Sequence, residues 1–274
     1  MLSSLIIMFR EALEAALVIG IILGYLNKTN QKKLSYIVYI ALGCGLVASI
    51  IGAVLFNIFA GGFEGKAEEI YEGVVMLLGA TLLTTLILWM IKNSNVKADV
   101  ENKLDSSIKS YGKIGLFLIV FTSILREGIE TVIFLQASNI SSKDNNLIGA
   151  TIGLVLAIVF GFLLFKGFVK LSLKHFFTVT NILLILFAAG LVAHGVHELE
   201  EAKILNPIVE HVWNINPVVN PDGTLPLLHE KGYIGSILVG LFGYNGNPSL
   251  FEVICYIIYI ISVFGIWIFY KRKK

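Results

Sequence analysis

The chain has 274 residues, of which 56% are hydrophobic and only 15% charged, with a formal net charge of +2. No soluble domain of this length tolerates so apolar a composition on its surface, so the expected solvent is lipid and the expected fold class is an all-α polytopic membrane protein. Membrane lipid is the partner such a composition implies; nucleic acid is not expected.

Taken in chain order, apolar runs lie near 2–26, 34–60, 70–91, 113–136, 146–169, 176–198 and 250–270. Each is long enough, at roughly 18 to 25 residues, to cross a hydrocarbon core of about 30 Å, and none alternates with period two as a barrel strand would. About seven transmembrane helices are therefore expected. The first run reads as a retained span, not a cleaved leader: no basic residue precedes it, and Arg10, Glu11 and Glu14 interrupt it. Cys44 and Cys255 fall singly inside spans, far from any C-x-x-C spacing, and read as packing residues.

Lysine and arginine set the orientation. Lys28, Lys32 and Lys33 follow span one; Lys92, Lys97, Lys103, Lys109 and Lys113 lie between spans three and four; Lys166, Lys170 and Lys174 join spans five and six; Lys271, Arg272, Lys273 and Lys274 end the chain. All four clusters fall on one side, which puts the N-terminus outside and the C-terminus in the cytoplasm. The opposite side is acidic, with Glu64, Glu68, Glu69, Glu72, Asp144, Glu198, Glu200, Glu201, Glu210, Asp222 and Glu230. A negative outer vestibule of this kind concentrates cations.

Two spans carry the same unusual string, Arg10-Glu11-Ala12-Leu13-Glu14 and Arg126-Glu127-Gly128-Ile129-Glu130. With an offset of three spans from one copy to the other, the first runs inward and the second outward, as in a 3+3 inverted repeat with its substrate site near the midplane. The expected organisation is a first three-helix repeat (1–92), a cytoplasmic loop (93–112), a second three-helix repeat (113–199), an extracytoplasmic loop (200–249) whose apolar stretch from Gly232 to Gly243 is too short to span and is interfacial or re-entrant, and a seventh helix with a basic tail (250–274). No residue-level match between spans two and five is visible in the sequence.

Helical positions i and i+3 lie about 60° apart, so Glu11 and Glu14 share one face and Glu127 and Glu130 another. Arg10 can pair with Glu14, and Arg126 with Glu130, at i and i+4. Each charge at a helix centre costs at least about 2.5 kcal/mol on insertion scales, and each string still has one carboxylate more than guanidinium. A cation supplies the missing charge. Four carboxylates form a ligand set for hard metals, with no thiolate or imidazole among them; iron, manganese, magnesium and calcium fit that chemistry. The bland alternative is an interhelical salt-bridge network that only locks the bundle.

At the outer face, Glu68 and Glu72 share one helix face, and His194, His197, Glu198 and Glu201 share another, a spacing that permits an outer metal site. Glu68 and Glu69 read equally well as solvated acids at a helix N-terminus. An oxygen-activating di-iron centre is the competing reading of paired carboxylates, but it wants Glu-x-x-His pairs, and His175, His194, His197, His211 and His229 all lie outside the two motif spans.

These strings, together with E-E-I-Y-E-G at 68–73, A-H-G-V-H-E-L-E-E-A at 193–202 and L-F-G-Y-N-G-N-P-S-L-F-E-V at 241–253, resemble the oxidase-dependent iron transporter family of high-affinity ferric permeases and bacterial ferrous-iron-uptake permeases. The resemblance covers nearly the whole chain. It implies a permease, not an enzyme, in a plasma membrane such as the bacterial inner membrane. It also implies that Glu11, Glu14, Glu127 and Glu130 pass the metal with Arg10 and Arg126 in support, that iron is the transported substrate with no permanently bound cofactor, and that a separate extracytoplasmic oxidase or iron-delivery protein supplies iron(III). Some relatives are associated with lead, so Pb²⁺ or Mn²⁺ is the alternative cargo. Release inward is expected by rocking of the two repeats.

Overall fold

Lipid offers the backbone no hydrogen-bond partner, so each apolar run must satisfy its own N–H and C=O groups, and it does so as helix. The structure, a computed structural model, describes residues 2–60, 62–92, 96–142, 147–165, 173–218, 225–230 and 232–272. Among them are α1 (Leu2–Lys28), a 3₁₀ turn (Lys32–Leu34), α2 (Ser35–Ala60), α3 (Lys66–Lys92), α4 (Val96–Ser142), α5 (Leu147–Phe165), α6 (Leu173–Glu201), α7 (Tyr233–Phe242) and α8 (Leu250–Arg272), and no strand. Helices α2, α3, α5, α6 and α8 are long and apolar enough to cross a membrane. Helices α1 and α4 match them in length but interrupt their apolar stretches with the R-E-x-x-E strings. Lys143, Asp144, Lys166, Lys170, Asp222, Lys231, Lys273 and Lys274 lie outside the described residues, as do the side chains of Lys92, Lys97, Lys174, His175, Lys271 and Arg272.

The segment 93–112, expected as a loop, contains the first part of α4. The helix starts at Val96 and turns at Gly112, whose φ of 56° and ψ of −128° suit glycine alone. Val100, Leu104 and Ile108 recur every four residues, an apolar stripe hidden among lysines in a plain hydropathy reading. Leu104 is fully buried in a cluster with Ile22, Leu26, Val38 and Leu116, which ties the segment to α1, α2 and the rest of α4. Lys109 Nζ donates to Asp105 Oδ2 at 2.6 Å and Tyr25 Oη to Asp105 Oδ1 at 3.0 Å. Those two hydrogen bonds, the lysine's first, hold the Asp105 carboxyl below its usual range.

Packing does not follow chain order. Helix α1 lies along α5 and crosses α4, α2 packs on α4, α3 packs on α6, and α8 covers α6 and α3, while α1 barely meets α2. Small residues set the close crossings. A Cβ on Gly45 of α2 would fall 2.9 Å from Ile124 Cβ and 3.4 Å from the Phe121 carbonyl oxygen of α4. Gly153 of α5 sits in the same way against the Leu5 carbonyl oxygen of α1. Where α3 meets α6, a Cβ on Gly73 would meet the Gly195 oxygen at 2.9 Å and Leu199 at 3.2 Å, and one on Gly195 would meet the Gly73 oxygen at 3.1 Å and Leu77 at 3.1 Å.

Helix α7, the short apolar piece of the 200–249 segment, docks by its C-terminal end. Ser3 Oγ on α1 donates to the Gly240 carbonyl at 2.7 Å. Gly243, left-handed at φ 65° as the helix cap, meets Gly190 so closely that a Cβ on Gly190 would lie 2.5 Å from Gly243 Cα.

Candidate metal centre

The spacing of the two strings puts each arginine in reach of its own glutamates, and the fold brings the two helix faces together. Arg10 is fully buried, and its Nη1 and Nη2 meet Glu11 Oε1 at 2.7 Å and Glu14 Oε1 at 2.8 Å. On α4, Arg126 pairs with Glu127 and, at 3.5 Å through Nε, with Glu130 Oε1. Carboxylate oxygens of Glu11, Glu14 and Glu127 all lie within 4.8 Å of one another, so three acids from two helices converge on one point. Glu130 stays outside that group, held by Arg126. The arginines differ in exposure: the Arg10 side chain is 0% exposed and that of Arg126 51%, with its guanidinium 5.9 Å from the Trp89 ring centroid.

The converged carboxylates are buried, with Glu11 and Glu127 at 1% and 3% exposure. Glu11, Glu127 and Glu130 each leave Oε2 with no hydrogen-bond partner. A buried anionic oxygen without a donor is costly, and neighbouring anions add to the cost. Two guanidiniums cannot neutralise four carboxylates. A proton on a carboxylate or a bound cation would each relieve that excess, and the all-oxygen donor set suits a hard cation.

A second gathering forms where α6 ends and α8 begins, joining His197, Glu200 and Glu252 with donor atoms within 4.8 Å of one another. His197 Nδ1 lies 3.1 Å from Glu252 Oε1 and its Nε2 3.3 Å from Glu201 Oε1. The other Glu252 oxygen accepts from Asn245 Nδ2 at 2.6 Å, and Oε1 also accepts from the Ser249 backbone N–H at 3.0 Å. In return Ser249 Oγ accepts from the Glu252 N–H at 3.2 Å, which closes a capping box on α8.

Of the outer residues singled out from the sequence, His197 and Glu201 are thus in contact, and His194, one turn earlier, has a buried Nε2 without a partner. Glu72 is half-buried near the start of α3, Glu68 is exposed there, and Glu198 is half-buried on α6; none of the three joins either gathering. Glu200 and Glu252 were missed as site residues. Glu200 reads in the sequence as one of the vestibule acids, and Glu252 stands there only inside the string at 241–253, although an acid opening an apolar run is a signal.

The sequence profile of the iron permease FTR1 family matches residues 1–273. The ferrous iron permease EfeU of Escherichia coli O6:K15:H31 is 33% identical over 262 residues, covering 93% of this chain and 91% of its own. That of Yersinia pestis is also 33% identical, over 93% of this chain and 89% of its own, and a protein of Archaeoglobus fulgidus is 32% identical over 97% and 94%. No solved structure matches the chain.

Proposed function

Because the chain belongs to the iron permease FTR1 family, we propose that it imports iron through the Glu11–Glu14–Glu127 cluster, with Glu130 as the fourth carboxylate of the path and Arg10 and Arg126 as its counter-charges. The observation that carries the reading is the meeting of three buried acids from two R-E-x-x-E helices, with orphaned oxygens on Glu11 and Glu127. Among the described residues that group holds no histidine, which favours passage of a hard cation over an oxygen-activating centre.

We count α1 and α4 as spans beside the five apolar ones, giving seven with a 3+3 inverted repeat. Exchanging α1 with α4, α2 with α5 and α3 with α6 turns the α1–α5 packing into α4–α2 and leaves the α1–α4 and α3–α6 pairs as they are, which matches the observed neighbours. Shifting the first motif onto the second moves Leu5 to Phe121, and those are the carbonyls against which Gly153 and Gly45 sit. The Gly73 and Gly195 crossing is reciprocal, as on a two-fold axis. The repeats interlock through α1 on α5 and α2 on α4, and we read the rocking that releases the ion inward as motion of these pairs. Gly190 lies eleven residues before the end of α6, about 16 Å in, so its contact with Gly243 supports a re-entrant α7. The lysine bias supports an outside N-terminus and a cytoplasmic C-terminus.

Iron is delivered as iron(III) by a separate oxidase or delivery protein; manganese and lead are the competing cargoes. Uptake into proteoliposomes, with iron(II), iron(III), manganese and lead compared with and without an oxidant, tests cargo and oxidation state together. Glu11→Gln and Glu127→Gln should each abolish iron uptake with insertion intact. Normal uptake in either variant sinks the assignment.

A further inference from the structure

We infer that His197, Glu200 and Glu252 form a second, selective site that binds a first-row transition-metal ion at the outer end of α6 and α8. It concerns residues apart from the buried glutamates but takes its cargo from the function proposed above.

Three observations carry it. Glu200 is only 8% exposed, one of its carboxylate oxygens joins the gathering, and its Oε1 has no hydrogen-bond partner. Helix capping explains Glu252 but leaves that orphan unexplained. Metal–ligand bonds of about 2.0–2.2 Å put donors around one ion about 3–4.4 Å apart, so a set already within 4.8 Å closes by at most about 1–2 Å, within reach of side-chain rotation. The supporting contacts are also in place. With Nδ1 on the metal, the His197 Nε2–H points to Glu201, and Asn245 fixes the second Glu252 oxygen. The His197 side chain is 41% exposed against 2% for Glu252, so the ring is the side from which an ion arrives.

The donor set differs from that of the motif helices in the property that matters for selection. An all-carboxylate cluster accepts Mg²⁺ and Ca²⁺, both oxygen seekers, whereas imidazole with two carboxylates favours iron, manganese or cobalt. Two carboxylates and a neutral imidazole also balance the charge of a dication. The outer site thus discriminates before the ion reaches the cluster that cannot.

Cobalt(II) is the probe, followed by X-ray absorption and equilibrium binding on protein in nanodiscs, in the Glu11→Gln/Glu127→Gln background that removes the inner cluster. One Co²⁺ with imidazole scattering should remain and should resist excess Mg²⁺. Adding His197→Ala should remove that scattering, and Glu200→Gln, isosteric and outside the cap, should weaken binding by at least about tenfold with unchanged thermal unfolding. Absence of nitrogen-ligated Co²⁺ in the background variant overturns the site, as does unaltered binding in either added variant or displacement by Mg²⁺. Should the background variant instead still transport iron, the inner-cluster reading fails while the cobalt result stands.

Discussion

Gly45→Ala isolates what the close approach of α2 and α4 does for the motif. The new methyl would sit 2.9 Å from both Ile124 Cβ and Ile124 Cγ2, where carbon atoms ordinarily rest about 3.5–4.0 Å apart, so the helices must part by roughly 0.6–1 Å. Ile124 is β-branched and stiff at χ1, and its Cβ cannot rotate away. Overpacking of this kind costs about 1–3 kcal/mol, and the helix-propensity gain of alanine over glycine returns about 0.5–1 kcal/mol, so a net loss of about 1–2 kcal/mol is expected. Ile124 lies three residues before Glu127, and parting the helices shifts that carboxylate relative to Glu11 and Glu14; iron uptake should fall roughly tenfold or more, as misplacements near 1 Å do elsewhere. Gly43→Ala and Gly52→Ala are the controls. Nothing lies within 4 Å of a Cβ at either position, so both should be neutral or slightly stabilising. Thermal unfolding in detergent and uptake in proteoliposomes measure the two effects. A Gly45→Ala protein as stable and active as Gly43→Ala would refute the close-packing argument.

Arg10→Ala should destabilise more than Arg126→Ala: each strands two acids, but the first does so at a fully buried position, a loss on the scale of about 3–5 kcal/mol, while water can take part of the place of the half-exposed Arg126 and reduce the loss. Equal losses in a denaturation series would contradict the difference in burial. Gly112→Ala forces a side chain into φ 56°, ψ −128°, at a cost of about 1–3 kcal/mol, and should release the segment before the kink; limited proteolysis at Lys103 and Lys109 ought to speed up, and an unchanged digestion rate would show that the turn tolerates a Cβ.

Much of this was legible in the sequence because membrane helices are constrained one at a time. Length and hydropathy mark a span, and i, i+4 spacing permits the Arg10–Glu14 contact that the structure contains. What depends on how one helix is rotated against another was not legible. Nothing in R-E-G-I-E says that Glu127 turns toward α1 while Glu130 remains with Arg126, because both share a face and only the crossing decides. The α2–α5 correspondence escaped for a similar reason: Gly45 and Gly153 are two glycines among 26 until the carbonyls beneath them are known. Charge hid the helix before Gly112, where three lysines mask a three-residue stripe, and only the fold brings Glu252 to His197 and Glu200.

The asymmetry of the two motifs has a consequence for transport. If the repeats are equivalent by sequence, an arrangement with their roles exchanged is built from the same contacts and lies close in free energy; alternation between the two moves the cation from one side to the other. In the exchanged arrangement Arg126 is the buried arginine, Arg10 the exposed one, and Glu130 replaces Glu14 beside Glu11 and Glu127. Arg126 must then leave the Trp89 ring, where its guanidinium now sits 5.9 Å from the centroid. Replacing the other two tryptophans, Trp213→Phe and Trp267→Phe, leaves Trp89 as the only reporter. Saturating transported metal should shift its emission wavelength, because a cation over the indole is lost, whereas collisional quenching lowers intensity without that shift. The same protein carrying Glu11→Gln and Glu127→Gln supplies the comparison, since it meets the metal but lacks the cluster that would drive the exchange. An emission maximum that responds identically in the two proteins would mean that Arg126 keeps its place through the cycle, and that the two motifs, however alike in sequence, do not trade roles.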